Sequence, residues 1–235
     1  MHKLQAIVFD LDDTLYSERD FVLSGFRSVA KWAALNLEID PELGYTTLFQ
    51  LYSEGVRNNT FNRWLEIHQI DRPEIIPELL NIYRQHSPNI IPFADAIDLL
   101  KTLIGSYQIG LVSDGYLAVQ QRKWLALNLD SFFDAVVFSD KLGRENWKPS
   151  TAPFALVLQQ LQVSPPLSVY IGDNPRKDFL GARQLGMYTI QFKHPASEYG
   201  HIRPPTPAHQ PHLIAESFTE VLGAISQIES SLQIC

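Results

Sequence analysis

Five short apolar segments recur along the chain, and a polar or turn-forming residue closes each of them. Segments with helical periodicity lie between them, so strands and helices alternate. Short apolar runs without polar alternation are typical of strands that are buried on both faces of a parallel sheet. We therefore expect an α/β protein with a doubly wound parallel sheet and right-handed crossovers. The predicted strands cover residues 6–9, 109–112, 135–138, 169–171 and 188–192.

The connection between the first two predicted strands breaks this alternation, because it contains about 80 residues before the helix that begins near Phe93. A structureless loop of that length is rare in a compact domain. Helix-period stretches instead cover residues 19–37, 45–58, 60–68 and 74–86, with prolines near their ends. We predict an inserted α-helical domain over residues 16–89 and an α/β core formed by residues 1–15 and 90–235. Further helices are predicted at 93–104, 117–127, 152–162 and 178–185 and from Ser217, the last after a strand-like run.

Composition excludes several classes of partner. The 235 residues include 19 basic and 26 acidic side chains, and this net charge of −7 disfavours binding to a nucleic-acid backbone. The apolar stretches are far shorter than the roughly 20 residues of a membrane helix, so we expect no membrane partner. The single cysteine, Cys235, excludes an intramolecular disulfide and favours a reducing compartment. We therefore expect a cytoplasmic protein.

Acidic residues follow two of the predicted strands. Asp10 and Asp12 come directly after the first strand, and Asp173 and Asp178 follow the fourth. In open parallel sheets, ligands bind beyond the carboxyl ends of the strands, so these acids are expected to share one crevice. Such a cluster repels itself and requires a cation, and oxygen ligands with vacant water positions indicate Mg²⁺.

Two other strand ends carry groups suited to an anion. Ser113 closes the second strand, where its hydroxyl and the following amides of Asp114 and Gly115 could hold an anion, and Lys148 supplies a positive charge. Each residue alone has an ordinary explanation as a turn residue, a helix cap or a solvated lysine. Their joint occurrence at four strand ends instead predicts a site for phosphoryl chemistry.

In these residues the sequence resembles the haloacid dehalogenase-like hydrolase superfamily, in its phosphatase branch, over nearly the whole chain. The family's Asp-x-Asp-x-Thr motif matches residues 10–14, and its Ser/Thr after the second strand matches Ser113. Its Lys before Pro matches Lys148, and its Gly-Asp-x-x-x-x-Asp matches residues 172–178. The resemblance implies a haloacid dehalogenase-like core, with the inserted helical domain as its cap.

The resemblance also implies a role for each motif residue. Asp10 would be the nucleophile that forms an aspartyl-phosphate, and Asp12 the general acid and then the base. Asp12 must have a raised pKa to donate a proton near neutrality, and only its main-chain carbonyl, not its carboxylate, should contact the metal. The carboxylates of Asp10 and Asp173 would also bind Mg²⁺, and Asp178 would order metal-bound water or the lysine amine. Ser113 and Lys148 would bind the phosphoryl group.

We expect a small phosphorylated metabolite as the substrate: a sugar phosphate, a nucleoside monophosphate or a phosphoglycolate-like acid. A phosphomutase and a non-catalytic phospho-acceptor or binding protein remain alternatives, and the sequence does not reveal the oligomeric state. In the inserted domain, we favour packing of Phe61 and Trp64 in a helical core over contact with substrate. The candidate substrate residues are Asp114, Gly115, Tyr16, Arg19, Arg57, Asn62 and Arg63.

Overall fold

The structure, a computed structural model, describes residues 3–195 and 197–233, so Cys235 lies outside the described part. The chain divides into two compact units. Glu18 and the residues before it form the α/β unit together with Ile91 and the residues after it, and Arg19–Ile90 form the helical unit. The sequence pattern predicted these boundaries at residues 16 and 89.

The α/β unit contains a parallel sheet with the strand order β3-β2-β1-β4-β5-β6. In the centre of this sheet, Phe9 is in register with Leu111 on one side and with Ile171 on the other. This topology confirms the predicted doubly wound α/β fold. The strands are β1 (Ala6–Phe9), β2 (Gln108–Ser113), β3 (Ala135–Phe138), β4 (Ser168–Gly172), β5 (Tyr188–Phe192) and β6 (Leu213–Ala215).

Helices bury the faces of this sheet, because its central strands carry apolar side chains in both directions. The side chains of β1 and β4 are fully buried, and α7 contributes Phe154 and Val157 to the same core. The helices of the unit are α5 (Ala94–Leu103), α6 (Leu117–Leu127), α7 (Ala152–Leu161), α8 (Leu180–Leu185) and α9 (Phe218–Leu232).

Helix α8 begins at Leu180, whereas the sequence pattern predicted a start at Asp178. The preceding residues form a hydrogen-bonded turn instead. The amide of Asp178 donates to the carbonyl of Asn174 over 3.0 Å, and the amide of Asn174 donates to Asp178 Oδ2 over 2.8 Å. This turn fixes the Asp178 side chain against the end of β4.

The helical unit contains α1 (Glu18–Asn36, apart from its first residue), α2 (Pro41–Ser53), α3 (Thr60–Ile67) and α4 (Ile76–Gln85). The predicted range 45–58 for α2 is wrong, because Asp40 caps the helix by accepting from the amide of Leu43 and Pro41 occupies its first turn. Among the described residues, no helix is both long and apolar enough to cross a lipid bilayer.

Gly181 in α8 allows this helix to approach the segment that carries Lys148. A Cβ atom at position 181 would lie 2.4 Å from the carbonyl oxygen of Pro149 and 2.8 Å from that of Ser150. Both neighbours are backbone atoms, so the clash cannot be relieved by a side-chain rotation. The absence of a side chain at this position therefore allows the close packing.

We expect Gly181→Ala to lower the free energy of unfolding by about 1–3 kcal/mol, the usual cost of overpacking. Gly223→Ala is the matched control, because position 223 in α9 is exposed and no atom of the other described residues lies within 4 Å of a new Cβ. That change should stabilise the helix by up to about 1 kcal/mol. Urea denaturation of both variants measures the difference, and equal stability of Gly181→Ala and the wild type would contradict the packing described.

Candidate active site

The carboxyl ends of three neighbouring strands bring the motif residues together. Asp10 follows β1, Ser113 ends β2 and Asp173 follows β4, so parallel pairing places them at one edge of the sheet. The amide of Asp10 donates to the carbonyl of Ile171 over 2.8 Å, which carries the pairing one residue beyond β1. All three side chains are buried.

Lys148 lies at the centre of this edge with its ammonium group fully buried. Its Nζ donates to Asp10 Oδ1 over 2.5 Å, to Asp178 Oδ1 over 2.8 Å and to the Tyr170 hydroxyl over 2.9 Å. These three acceptors use every N–H of the ammonium group, so its position is fixed. Burial lowers the pKa of Lys148, but the charges of Asp10 and Asp178 outweigh this effect and raise it well above its usual value. Lys148 is therefore a permanent cation.

Three carboxylates form a cluster that could hold a metal ion. Ligand oxygens of Asp10, Asp173 and Asp178 all lie within 4.8 Å of one another. Burial, together with repulsion from neighbouring acids, raises the pKa of Asp10 despite Lys148 and raises that of Asp173 well above its usual value. Asp10 Oδ2 is buried and has no hydrogen-bond partner in the part of the chain that the structure describes. An excess of buried negative charge with a free carboxylate oxygen fits a hard cation.

Hydrogen bonds from other parts of the α/β unit orient Asp173. Ser197, in the loop after β5, donates from its hydroxyl to Asp173 Oδ2 over 2.8 Å. The side chain of Gln191 donates to the main-chain carbonyl of Asp173 over 3.2 Å. Partners of this kind fix the direction in which a carboxylate presents its free oxygen.

Asp12 has quite different surroundings. Its Oδ1 accepts from Lys123 Nζ over 2.7 Å and from the Tyr16 hydroxyl, and its Oδ2 accepts from Gln120 Nε2 over 2.7 Å. Burial raises the pKa of Asp12, but the charge and hydrogen bond of Lys123 and the other two hydrogen bonds lower it below its usual value. The requirement for a raised pKa is therefore not met in this structure, because a buried lysine pairs with the carboxylate.

Asp13 joins two loops at the same edge. Its backbone is left-handed, with φ of 53°, and its two carboxylate oxygens accept from the amides of Glu18 and Glu198 over 2.8 and 3.0 Å. Burial raises the pKa of Asp13 to about 6, although these two hydrogen bonds act in the opposite direction. The side chain thus connects the loop after β1 with the loop after β5.

The candidate substrate residues of the α/β unit differ in accessibility. Asp114 is half-buried, and its Oδ1 accepts from the Ser139 hydroxyl over 2.6 Å and from the Lys148 amide over 3.3 Å. Gly115 is half-buried and has φ of 130°, a conformation that side chains disfavour. Tyr16 is fully buried, and its hydroxyl is bonded to Asp12 instead of facing solvent.

The other candidates lie in the helical unit. Arg19 lies over the ring of Phe49, 5.7 Å from its centroid. Arg57 donates to the carbonyl of Tyr52 over 2.7 Å, and Arg63 is exposed near Glu66. Asn62, with Arg57, lines a cavity of about 170 Å³ inside this unit. The buried side chains of Phe61 and Trp64 belong to the core of the helical unit, which agrees with the packing interpretation.

Several residues at the site were not singled out from the sequence. Gln120 and Lys123 are polar but occupy the buried stripe of α6 that Trp124 and Leu127 continue, at the spacing i, i+3, i+4 and i+7. Polar side chains on such a stripe are a sequence signal that could have revealed them. Tyr170 and Ser197 offer no comparable local signal. Lys177 is half-buried. Burial and the charge of Lys148 lower its pKa, but the charges of Asp10 and Asp178 outweigh them and raise it.

Comparison with known proteins identifies the family. The family model described as haloacid dehalogenase-like hydrolase matches residues 7–192, which include every motif residue of the site. This chain belongs to the haloacid dehalogenase-like hydrolase family. Its membership confirms the resemblance of the sequence motifs.

Relatives of this chain include proteins named as a phosphatase and as a nucleotidase. The chain is 32% identical over 200 residues to a glyceraldehyde 3-phosphate phosphatase of Methanothermobacter thermautotrophicus, covering 80% of this chain and 84% of the relative. It is 26% identical to a pyrimidine 5′-nucleotidase of Escherichia coli, covering 80% and 85%.

Solved structures of other family members share the fold. A haloacid dehalogenase family hydrolase of Deinococcus radiodurans, solved with bound phosphate and sodium, superimposes with a TM-score of 0.69 at 17% identity and 97% coverage of each chain. A hydrolase of Bacillus subtilis, solved with magnesium, gives a TM-score of 0.65 at 19% identity, covering 95% of this chain and 99% of that one.

The raised pKa of Asp13 predicts a pH dependence of stability. Because the pKa rises from its usual 3.8 to about 6 on folding, the stabilisation is present below pH 4 and is lost as the pH rises through 6. The stability of the wild type relative to Asp13→Asn should therefore fall by about 2 kcal/mol between pH 4 and pH 7. Urea denaturation in metal-free buffer at several pH values measures it. A pH-independent difference, or one that grows with pH, would contradict the assignment.

Proposed function

We propose that this hydrolase is a Mg²⁺-dependent phosphomonoesterase that cleaves small phosphorylated metabolites through an aspartyl-phosphate on Asp10. The observation that carries the proposal is the environment of Asp10. One oxygen is bonded to Lys148, and the other is buried with no hydrogen-bond partner among the described residues. A carboxylate oxygen of Asp10 also lies within 4.8 Å of one of Asp173. A carboxylate held in this way presents one free oxygen as a nucleophile.

The donor set supports a magnesium ion at this position. The carboxylates of Asp10 and Asp173 and the main-chain carbonyl of Asp12 would hold it, and the Asp12 carboxylate is engaged elsewhere. All of these ligands are oxygens, as Mg²⁺ prefers. The bound ion would supply charge neutralisation and polarisation of the phosphoryl oxygens.

The side chains then divide the work of the two steps. The Asp10 carboxylate attacks phosphorus while the ester P–O bond breaks. The negative charge of the bound phosphate ester would raise the pKa of Asp12 from its lowered value, so that Asp12 is protonated in this step and gives the proton to the departing oxygen. Water next attacks the phosphorus of the aspartyl-phosphate, its proton passes to Asp12, and the bond to Asp10 breaks. Lys148 and the Ser113 hydroxyl stabilise the charge on the phosphoryl oxygens in both steps.

We propose that the substrate is a small phosphate ester, as the names of the relatives support. Those names include a triose phosphate and pyrimidine nucleotides as the substrates of the respective proteins. The helical unit, residues 19–90, would act as the cap that selects the leaving group, because the motif residues of the α/β unit recognise only the phosphoryl group. Candidate contacts from it are Arg19, Arg57, Asn62 and Arg63.

Release of inorganic phosphate from a metabolite panel, with and without Mg²⁺, tests the activity. At least one ester should be hydrolysed only with the ion, and Asp10→Asn should lower kcat more than about 10³-fold, since it removes the nucleophile. Asp98→Asn, at an exposed acid in α5, is the matched control and should retain full activity. An active Asp10→Asn variant would refute the covalent mechanism, and formation of a phosphate isomer instead of free phosphate would indicate a mutase.

Metal binding can be measured without turnover, because an ion that binds only the folded state stabilises it. Mg²⁺ at 100 times its Kd should add about 2.7 kcal/mol to the free energy of unfolding. Asp173→Asn should lose most of this increment, whereas Asp12→Asn should keep it, since only the carbonyl of residue 12 would bind the ion. Denaturation with and without Mg²⁺ measures the increments. Loss of the stabilisation by Mg²⁺ in Asp12→Asn, or its full retention in Asp173→Asn, would contradict the ligand assignment.

A further inference from the structure

Helix α6 carries two polar side chains on its buried face. Gln120 and Lys123 are 1% and 3% exposed and lie one turn apart on the face that also buries Trp124 and Leu127. A buried ammonium group is costly unless it is paired. The helix therefore retains these side chains at a considerable cost, which their partners must offset.

The principal partner of both side chains is Asp12. Lys123 Nζ donates to Asp12 Oδ1 over 2.7 Å and to Glu18 Oε1 over 3.3 Å. Gln120 Nε2 donates to Asp12 Oδ2 and to Ser113 Oγ, over 2.7 Å each. The two N–H groups of one amide thus connect Asp12 with the hydroxyl that ends β2. We call Gln120 and Lys123 the α6 pair.

The α6 pair holds both oxygens of Asp12, whereas one oxygen of Asp10 has no hydrogen-bond partner within residues 3–195 and 197–233. With the Tyr16 hydroxyl on Oδ1 as well, the Asp12 carboxylate has a single permitted orientation. Proton transfer requires the donor or acceptor atom within hydrogen-bond reach of the reacting oxygen, so orientation directly affects rate. Gln120 and Lys123 lie 108 and 111 positions from Asp12 in the chain, so they contact it only in the folded protein.

We infer that Gln120 and Lys123 are positioning residues that hold Asp12 for proton transfer and align it with Ser113. This inference rests on the proposed phosphatase function. It predicts that the pair matters most where a proton must reach the leaving group. An alkyl phosphate needs this proton because its alkoxide is a poor leaving group, whereas p-nitrophenyl phosphate releases a stable phenolate without it.

The competing explanation is purely structural: Lys123 would only neutralise the buried acids Asp12 and Glu18. In that case a substitution would lower stability and would affect both substrates alike. The ratio of kcat/KM for an alkyl phosphate to kcat/KM for the aryl phosphate separates the two explanations, because kcat/KM reports the steps up to release of the leaving group.

The test uses glycerol 3-phosphate or another hydrolysed alkyl ester beside p-nitrophenyl phosphate, with the full chain and Mg²⁺. In Lys123→Met and in Gln120→Leu, the alkyl-to-aryl ratio of kcat/KM should fall at least tenfold. Lys123→Arg should recover part of the lost ratio, because arginine keeps the positive charge at position 123. Lys101→Met is the matched control, because Lys101 is exposed in α5 and bonds only to Asp98 in the described residues. Its ratio should equal that of the wild type.

A double-mutant cycle then shows whether the pair acts through Asp12. In an Asp12→Asn background, Lys123→Met should lower the alkyl kcat/KM by less than about twofold, because the group that it positions is gone. A further loss as large as that in the wild-type background would overturn the inference. Circular dichroism verifies folding, and Gln120→Leu keeps the test valid if Lys123→Met does not fold, because it removes no charge.

Two other outcomes distinguish failure of the positioning role from failure of the proposed phosphatase function. Equal fold losses for both substrates, or no loss in either variant, would overturn the positioning role while the phosphatase function stands. If the wild type and Lys101→Met hydrolyse neither ester nor any member of the metabolite panel, the proposed function itself fails, and the inference fails with it.

Discussion

The buried ammonium of Lys148 is the interaction on which the site depends. Three hydrogen bonds, to Asp10, Asp178 and Tyr170, join residues from β4 and from the loops after β1 and β4. Burial of one ammonium between two carboxylates is stable only if each charge remains paired. With Asp173 close by, the cluster keeps an excess of negative charge. The same desolvation that makes this cluster costly would strengthen its attraction for a small cation, which the proposed function requires.

Two aspartates that lie two residues apart thus acquire opposite properties. The side chain of Asp10 faces the acidic cluster and retains a free oxygen, and that of Asp12 is enclosed by donors from α6 and from Tyr16. The pKa of Asp10 is raised and that of Asp12 is lowered, and a cation bound beside Asp10 would oppose the first shift. The surroundings of Asp12 favour its ionised form, which the proposed mechanism requires when water attacks.

The core strands and most motif residues could be predicted from the sequence, because short local patterns determine both. A buried parallel strand is a short apolar run, and the residue that follows it lies at the ligand-binding edge, so Asp10, Ser113 and Asp173 could be assigned together. The predicted start of α2 was wrong, because Pro41 was interpreted as a helix boundary, whereas it lies in the first turn of the helix. Lys123 was missed for a different reason: its contact with Asp12 spans 111 positions, and only the three-dimensional fold brings the two together.

The most direct measurement identifies the residue that carries the phosphoryl group. The enzyme is quenched in acid during turnover and treated with borohydride, which reduces an aspartyl-phosphate to homoserine, and peptide mass spectrometry then locates the change. The account predicts homoserine at position 10 and at no other aspartate, in an amount that depends on Mg²⁺ and substrate. Conversion at Asp12 or Asp173, or none at all during active turnover, would contradict it.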